Sequence, residues 1–127
     1  MTPVFLTLDE VLELHEDSIR LYGGTSGVRD VGLLQSALSM PAASFGGAFL
    51  HPDLPSMAAA LLFHIVQNHP FLDGNKRTGL AAARVFLLTN GVRFDPPKRE
   101  VEALVLAVAD GSADKNAATA FFKLHAR

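Results

Sequence analysis

Residues 68–79 read NHPFLDGNKRTG, and this stretch decides how the middle of the chain is built. His69 stands directly before a proline, which disfavours right-handed helical geometry, so the apolar helix before it is predicted to end at Asn68. A second apolar segment begins at Asn75, and a short irregular turn therefore separates two helices. A histidine, a carboxylate and two cations lie within this stretch, and that density of reactive groups predicts a functional site.

Outward from this turn, the rest of the chain is predicted to form helices separated by clear stop signals. Apolar residues recur at helical spacing, and glycine or proline marks the boundaries. The predicted helix starts are a capping box at Thr7 with Glu10, an N-cap at Asp30, a start near Pro55, a start at Asn75, Asp95 with Pro96, and an N-cap at Ser112. Residues 40–55 are rich in Gly and Pro and predict a loop with a short hairpin or flap. The sequence therefore predicts an all-α, compact, single-domain bundle of about six helices.

The composition is that of a globular chain. The 127 residues are 49% hydrophobic and 19% charged, which is enough apolar surface to build a core. There is no cysteine, so disulfides and thiolate metal sites are excluded, and a net charge of −2 gives no basic footprint for nucleic acid. The acidic N-terminus and the short apolar stretch 57–66 predict neither a signal peptide nor a membrane span. We expect a cytoplasmic protein that binds neither nucleic acid directly nor a membrane.

The turn carries the groups that phosphoryl or nucleotidyl transfer to a hydroxyl requires. Free N–H groups at the start of the second helix, with Gly74 allowing close approach, predict an anion site suited to phosphate. Asp73 is a candidate Mg²⁺ ligand, and His69 is a candidate base for a hydroxyl proton. Lys76 and Arg77 add positive charge where a transferred phosphoryl group gathers negative charge.

Each of these residues also has a purely structural interpretation. A histidine before proline is commonly a turn residue, and Asp-Gly-Asn is a good turn with no further purpose. Cations at a helix start are commonly solvated, although two of them at the positive end of a helix dipole are unexpected unless an anion binds there. The contiguous set therefore favours function over architecture.

Several further residues have simpler predicted roles. A transition-metal site of His64 and His69 with His51 or Asp73 is a weak hypothesis, because the spacing fits no helical metal motif. His15 lies on the apolar stripe of the first helix and predicts a hydrogen-bonded, half-buried side chain. The Arg29-Asp30 dipeptide predicts a helix cap with a local ion pair.

The sequence HPFLDGN followed by a basic pair resembles the signature of the Fic/Doc family, H-P-F-x-[D/E]-G-N-[G/K]-R. The upstream YGGTSGVRDVGLLQSALSMP resembles the death-on-curing (Doc) branch of that family. The resemblance implies a helical Fic-type bundle in which His69 is the catalytic base for a target hydroxyl and Asp73 holds Mg²⁺. It also implies an ATP site that is formed by Phe71, Gly74, Asn75, Lys76 and Arg77. In this site Phe71 anchors the turn, the other residues form a phosphate cradle, and both cations contribute to catalysis.

Two positions bear on which phosphate is transferred. Fic proteins that transfer AMP typically have glycine at the position of Lys76 and a second arginine at that of Leu80, whereas the Doc branch shares the lysine. Doc proteins are described as kinases that bind ATP in the reverse sense and transfer its γ-phosphoryl group. Arg84, one turn beyond Leu80, is interpreted as a solvent-exposed side chain rather than a replacement for the missing arginine.

The resemblance implies a toxin of a type II toxin–antitoxin system that phosphorylates a threonine of elongation factor Tu and so stops translation. The alternatives are a protein adenylyltransferase of the wider family and a catalytically silent binding module with the same fold. The chain carries no inhibitory [S/T]-x-x-x-E-[G/N] pattern, so the resemblance implies inhibition by a Phd-like antitoxin whose C-terminal helix docks in a groove. For the loop 40–55 two interpretations stay open: its phenylalanines pack into the core, or it is a flap that pairs with an extended target segment.

Overall fold

The computed structural model describes residues 2–127, which form six α-helices and one two-stranded hairpin. In chain order the elements are α1 Leu8–Tyr22, α2 Val31–Ser39, β1 Ser44–Phe45, β2 Ala48–Phe49, α3 Leu54–Asn68, α4 Asn75–Thr89, α5 Lys98–Asp110 and α6 Lys115–His125. The strands pair antiparallel within the loop for which a hairpin was predicted. The predicted all-α bundle of about six helices is confirmed.

Helix α3 is the centre of the bundle and packs against α2, α4, α5 and α6. Its residues 56–62, together with Ile65 and Val66, are buried, so it is covered on most of its circumference. Gly79 lets α4 approach it closely, because a Cβ at that position would lie 3.0 Å from Val66 Cγ2. The two helices that flank the turn 69–74 are therefore held at a fixed, short separation.

The local helix signals near the N-terminus behave as predicted. Thr7 and Glu10 form the reciprocal capping box of α1, in which each side chain bonds the backbone N–H of the other. Asp30 caps α2 by accepting the N–H of Leu33 at 3.0 Å. These caps satisfy N–H groups that have no intrahelical partner.

The predicted start of α5 at Asp95 and Pro96 is wrong. Helix α5 begins at Lys98, and Pro97 is its N-cap with φ −54° and ψ 136°. Two consecutive prolines explain the delay, since each disfavours helical geometry in the residue before it. Pro97 is the first residue of this segment that is not followed by a proline, so its own ψ is free of that constraint.

The predicted cap of α6 at Ser112 is also wrong, because Asp114 has that role and accepts the N–H of Ala117 at 2.8 Å. Ser112 instead closes the turn after α5, where its N–H donates to Asp110 Oδ1 at 2.8 Å. Ser and Asp are both favoured at N-caps, so the sequence alone did not decide between Ser112 and Asp114. The packing of the turn made the choice.

The hairpin divides its two phenylalanines between core and solvent. Phe49 packs edge-on against Phe5 with ring centroids 6.1 Å apart, whereas Phe45 is 83% exposed. The packing interpretation is therefore right for Phe49 and wrong for Phe45, and pairing of the hairpin with a target segment stays a prediction. Across residues 2–127, every helix is too short or too polar to span a bilayer.

Candidate active site

His69 occupies a strained position at the end of α3. Its φ of 52° and ψ of 52° are left-handed, and within residues 2–127 it is the one non-glycine residue with positive φ. The left-handed conformation costs a residue with a Cβ about 1 kcal/mol or more. The surrounding contacts must therefore stabilise the backbone at the predicted base.

Asn75 is buried at the start of α4 and binds the turn that precedes it. Its Oδ1 accepts the N–H of Phe71 at 2.9 Å, and its Nδ2 donates to the carbonyl of Phe71 at 3.1 Å. These two contacts fix the orientation of the amide, because the reversed amide would face donor with donor. Nδ2 also lies 3.0 Å from His69 Nδ1, so it donates to that ring nitrogen.

This hydrogen bond assigns the tautomer of His69. Because Nδ1 accepts from Asn75, the neutral ring carries its proton on Nε2. A base must offer an unprotonated nitrogen to the hydroxyl. For Nε2 to act as the base, its proton must move to Nδ1 and the contact of Nδ1 with Asn75 must break. Because His69 is exposed, its ring is free to make this change.

Asp73 lies at the rim of the turn with both carboxylate oxygens bound to backbone. Oδ2 accepts the N–H of Thr25 at 3.1 Å, and Oδ1 accepts the N–H of Gly74 at 2.8 Å. The N–H of Thr25 foremost, then that of Gly74 and the charge of Arg77, hold the pKa of Asp73 below its ordinary value. The carboxylate is therefore ionised at neutral pH, as a Mg²⁺ ligand must be.

The donor set fits an ion that is held jointly with phosphate. Mg²⁺ is usually bound by one or two carboxylates together with substrate phosphates and water, and exposed Asp73 supplies one such carboxylate. Residues 2–127 contain no cluster of three or more His, Asp or Glu side chains placed to hold a metal ion by themselves. The transition-metal hypothesis for the histidines has no support in this arrangement.

The first N–H groups of α4, those of residues 75–77, have no hydrogen-bond partner within residues 2–127. Gly74 is its N-cap with φ 77°, and the cap makes no side-chain hydrogen bond to the helix. Lys76 is exposed, and among the described residues no ion pair involves it. Arg77 Nη2 donates to the carbonyl of Gly23 at 2.8 Å, and its guanidinium lies 5.6 Å from the ring centroid of Tyr22. Lys76 is thus free for an anion, whereas Arg77 also ties α4 to the end of α1.

These groups line one recess of about 460 Å³, which we call the anion recess. Its lining consists of Tyr22, Gly23, Gly24, His69, Leu72, Asp73, Gly74, Asn75, Lys76 and Arg77. Every predicted site residue belongs to this lining except Phe71. That ring is 1% exposed and lies beneath the recess, stacked on His15 with centroids 3.8 Å apart. Phe71 therefore supports the turn from the core, and the structure gives it no surface for direct contact with a nucleotide.

A second cavity of about 670 Å³, the apolar groove, continues from the anion recess between α1, α4 and α5. The two share Tyr22, Lys76 and Arg77. The apolar part of its lining is Leu14, Leu21, Leu80, Ala81, Val105 and Leu106. Arg84 also lines the groove and is exposed, as predicted, with its guanidinium 5.8 Å from the ring centroid of Phe94.

Two residues at the site, His15 and Gly24, were missed or misjudged from sequence. His15 is fully buried rather than half-buried, and its Nε2 donates to the carbonyl of Asp73 at 2.8 Å. Gly24 lies in the glycine pair that follows α1, and a Cβ there would lie 2.7 Å from Asp73 Oδ2. The second glycine of the Gly23-Gly24 pair was the available signal, since one glycine suffices to end a helix.

Arg29 does not form the predicted local ion pair with Asp30. Its Nε donates to the carbonyl of His69 at 2.7 Å and its Nη2 to that of Asn68 at 2.9 Å. The N–H groups of Arg29 and Asp30 both donate to the carbonyl of Pro70, at 2.7 and 3.0 Å. The segment before α2 therefore lies along the turn and fixes its backbone.

Sequence similarity agrees with this geometry, since the pattern of the Fic/DOC family matches residues 5–87, from the start of α1 through most of α4. The chain belongs to the Fic/DOC family. A toxin Doc of Mycolicibacterium smegmatis is 43% identical over 101 residues, which cover 76% of this chain and 78% of that protein. A protein kinase doc of Escherichia phage P1 is 35% identical over 104 residues, which cover 81% and 80%. These similarities assign the chain to the Doc branch of the Fic/DOC family and confirm the resemblance inferred from the signature.

His51 and His64 form a separate group near Lys115 of α6. Burial foremost, and then the charges of Lys115 and His51, lower the pKa of His64 from 6.5 to about 4. His64 Nε2 is buried and has no hydrogen-bond partner among the described residues. A proton on this ring would therefore be added at the expense of the folded state.

We expect acid to destabilise the fold through His64. Because its pKa is lower folded than unfolded, the unfolded chain binds the proton first, and the free energy of unfolding falls as pH drops from about 7 to about 4. Below about pH 4 both states are protonated and this contribution stops changing. Urea unfolding of the wild type and of His64→Leu at pH 7 and 4.5 measures it. The prediction is wrong if both proteins lose the same stability between these two pH values.

Proposed function

We propose that this Fic/DOC protein is a toxin that transfers the γ-phosphoryl group of ATP to a Ser or Thr hydroxyl of a protein. The observation that carries the proposal is the anion recess, where free N–H groups of α4, the carboxylate of Asp73 and the ammonium of Lys76 lie beside His69. A helix N-terminus and a free cation are the groups that bind phosphate. The likeness to a protein kinase doc supports the transfer of phosphate in particular.

In the proposed reaction the target hydroxyl oxygen forms a bond to the γ-phosphorus, and the bond to the β,γ-bridging oxygen breaks, leaving ADP. The hydroxyl proton passes to Nε2 of His69 after Asn75 has released Nδ1 and the ring's own proton has moved from Nε2 to Nδ1. Asp73 would hold Mg²⁺, which neutralises charge on the phosphates when bound. Lys76 and Arg77 would stabilise the negative charge that gathers on the transferred group.

The apolar groove supports the kinase orientation over AMP transfer. If the γ-phosphate lies by His69, the rest of ATP extends past Lys76 into the groove. Leu80 stands there, and its apolar side chain suits a nucleoside rather than further phosphates. The cavity of about 670 Å³ is within the size range of small-molecule sites.

Two variants of Lys76 test this orientation. Lys76→Met removes the charge and keeps the volume, so γ-phosphoryl transfer is expected to fall about 100-fold with no new activity. Lys76→Gly is expected to lose as much γ-phosphoryl transfer as Lys76→Met. It is also expected to gain AMP transfer, because the glycine opens space for the distal phosphates. Transfer of label from [γ-³²P]ATP and [α-³²P]ATP measures both. Undiminished γ transfer in Lys76→Gly would contradict the assigned role of the lysine.

The proposed target is a threonine of elongation factor Tu, and the proposed partner is a Phd-like antitoxin of a type II pair that binds through its C-terminal helix. Both follow from the Doc branch, and the likeness to a toxin Doc supports the toxin role. Expression of the chain is expected to arrest growth and translation, and co-expression of the antitoxin to restore both. Growth unaffected by the wild type would contradict the toxin proposal, and a modified residue outside elongation factor Tu would contradict the target.

A further inference from the structure

Arg29 donates hydrogen bonds to three consecutive carbonyl groups at the end of α3. Its guanidinium donates through Nη2 to Asn68 and through Nε to His69, and its backbone N–H donates to Pro70. The planar guanidinium presents several N–H groups in a fixed fork, so one side chain can bind two neighbouring carbonyls at once. A lysine ammonium on a flexible stem does not reproduce that geometry.

The backbone that Arg29 binds needs such support. The last carbonyls of a helix have no intrahelical partner, and a cation near them also interacts favourably with the helix dipole. The residue beyond the helix is His69, whose left-handed backbone would suit glycine better. Because Asp30 caps α2 in the next position, the pair 29–30 joins the start of α2 to the end of α3.

We propose that Arg29 is a positioning residue for His69: by binding its left-handed backbone, Arg29 sets where the imidazole lies beside Asn75 and the anion recess. Arg29 lines neither the anion recess nor the apolar groove, so it acts through His69 and not through contact with ATP. The catalytic consequence rests on the proposed function. The effect on the ring of His69 does not, and it can be measured without any activity.

The first test is a spectrum of the full chain labelled with ¹⁵N-histidine. In the wild type the His69 ring is expected to show a protonated Nε2 and an unprotonated Nδ1. In Arg29→Gln the two signals are expected to move toward the average of a free imidazole, because the contact with Asn75 is no longer held. Arg93→Gln is the matched control, since Arg93 is exposed and its pair with Asp95 is long, at 3.4 Å. Unchanged His69 signals in Arg29→Gln would overturn the proposal.

The second test is the rate of transfer. Arg29→Gln is expected to lower kcat about 10-fold or more while the KM for ATP stays constant, because displacement of a reacting group slows the chemical step. Arg29→Lys is expected to resemble Arg29→Gln, since it keeps the charge and loses the fork. Full activity in Arg29→Lys, or a loss of kcat no greater than the loss of folded protein, would overturn the proposal. A wild type that transfers no phosphate would refute the proposed function and leave the spectral test decisive for Arg29.

Discussion

Replacing His69 by asparagine is expected to reduce phosphoryl transfer at least about 100-fold, which is the usual contribution of a general base. Asparagine tolerates the left-handed backbone that His69 adopts, so this variant isolates the loss of the imidazole from the loss of the turn. His69→Ala is expected to lose transfer as well, but alanine, unlike asparagine, has no polar side chain that favours the left-handed backbone. The measurement is the initial rate of γ-label transfer, together with urea unfolding of each variant.

The matched control for this prediction is His125→Asn, in the last turn of α6 and outside both cavities. It is expected to keep full activity. If His69→Asn retained a rate within a few-fold of the wild type, His69 would not be the base, and the proton would have to pass to another acceptor.

Phe71→Ala is expected to destabilise the protein by about 3–5 kcal/mol, the range for truncation of a buried phenylalanine. The ring is 1% exposed and lies nearly parallel to that of His15, with an angle of 6° between the planes. Its removal leaves a cavity below the turn whose backbone is bound by Asn75. Since small domains are stable by only about 5–15 kcal/mol, this one change removes a large share of the total.

Urea unfolding followed by circular dichroism measures the loss in Phe71→Ala. Phe71→Leu is the control, because it keeps most of the apolar volume and is expected to cost under about 2 kcal/mol. A loss below about 1 kcal/mol in Phe71→Ala would show that the ring is not part of the folded core.

Features that depend on neighbours in sequence were predictable. The capping box at Thr7, the cap at Asp30 and the helix break at His69 all follow from contacts within a few residues. The same holds for the anion recess, since His69, Asp73 and the start of α4 are close in the chain. The start of α5 was misplaced because the effect of the second proline was overlooked, and that of α6 because Ser112 and Asp114 could both cap the helix and packing made the choice.

Features that depend on distant contacts were not predictable. Arg29 reaches a carbonyl 40 residues away, and His15 reaches one 58 residues away. Neither sequence position shows which backbone group its side chain will meet. The contacts of the Asn75 amide with Phe71 and His69 were not predicted either, and the part of Asn75 in a phosphate cradle stays a prediction. The backbone of the predicted base is therefore bound by Arg29, which is outside the expected set, and its ring by Asn75, which is within it.

The group that we propose is transferred is the γ-phosphoryl of ATP. The most direct test incubates the pure chain with Mg²⁺, elongation factor Tu and ATP labelled at either the α- or the γ-phosphate. We expect protein-bound label from γ alone, with ADP as the nucleotide product. Label from α with release of pyrophosphate would instead identify an adenylyltransferase, and no transfer of either label with antitoxin binding retained would identify a silent binding module. Either of those results would contradict γ-phosphoryl transfer by this protein.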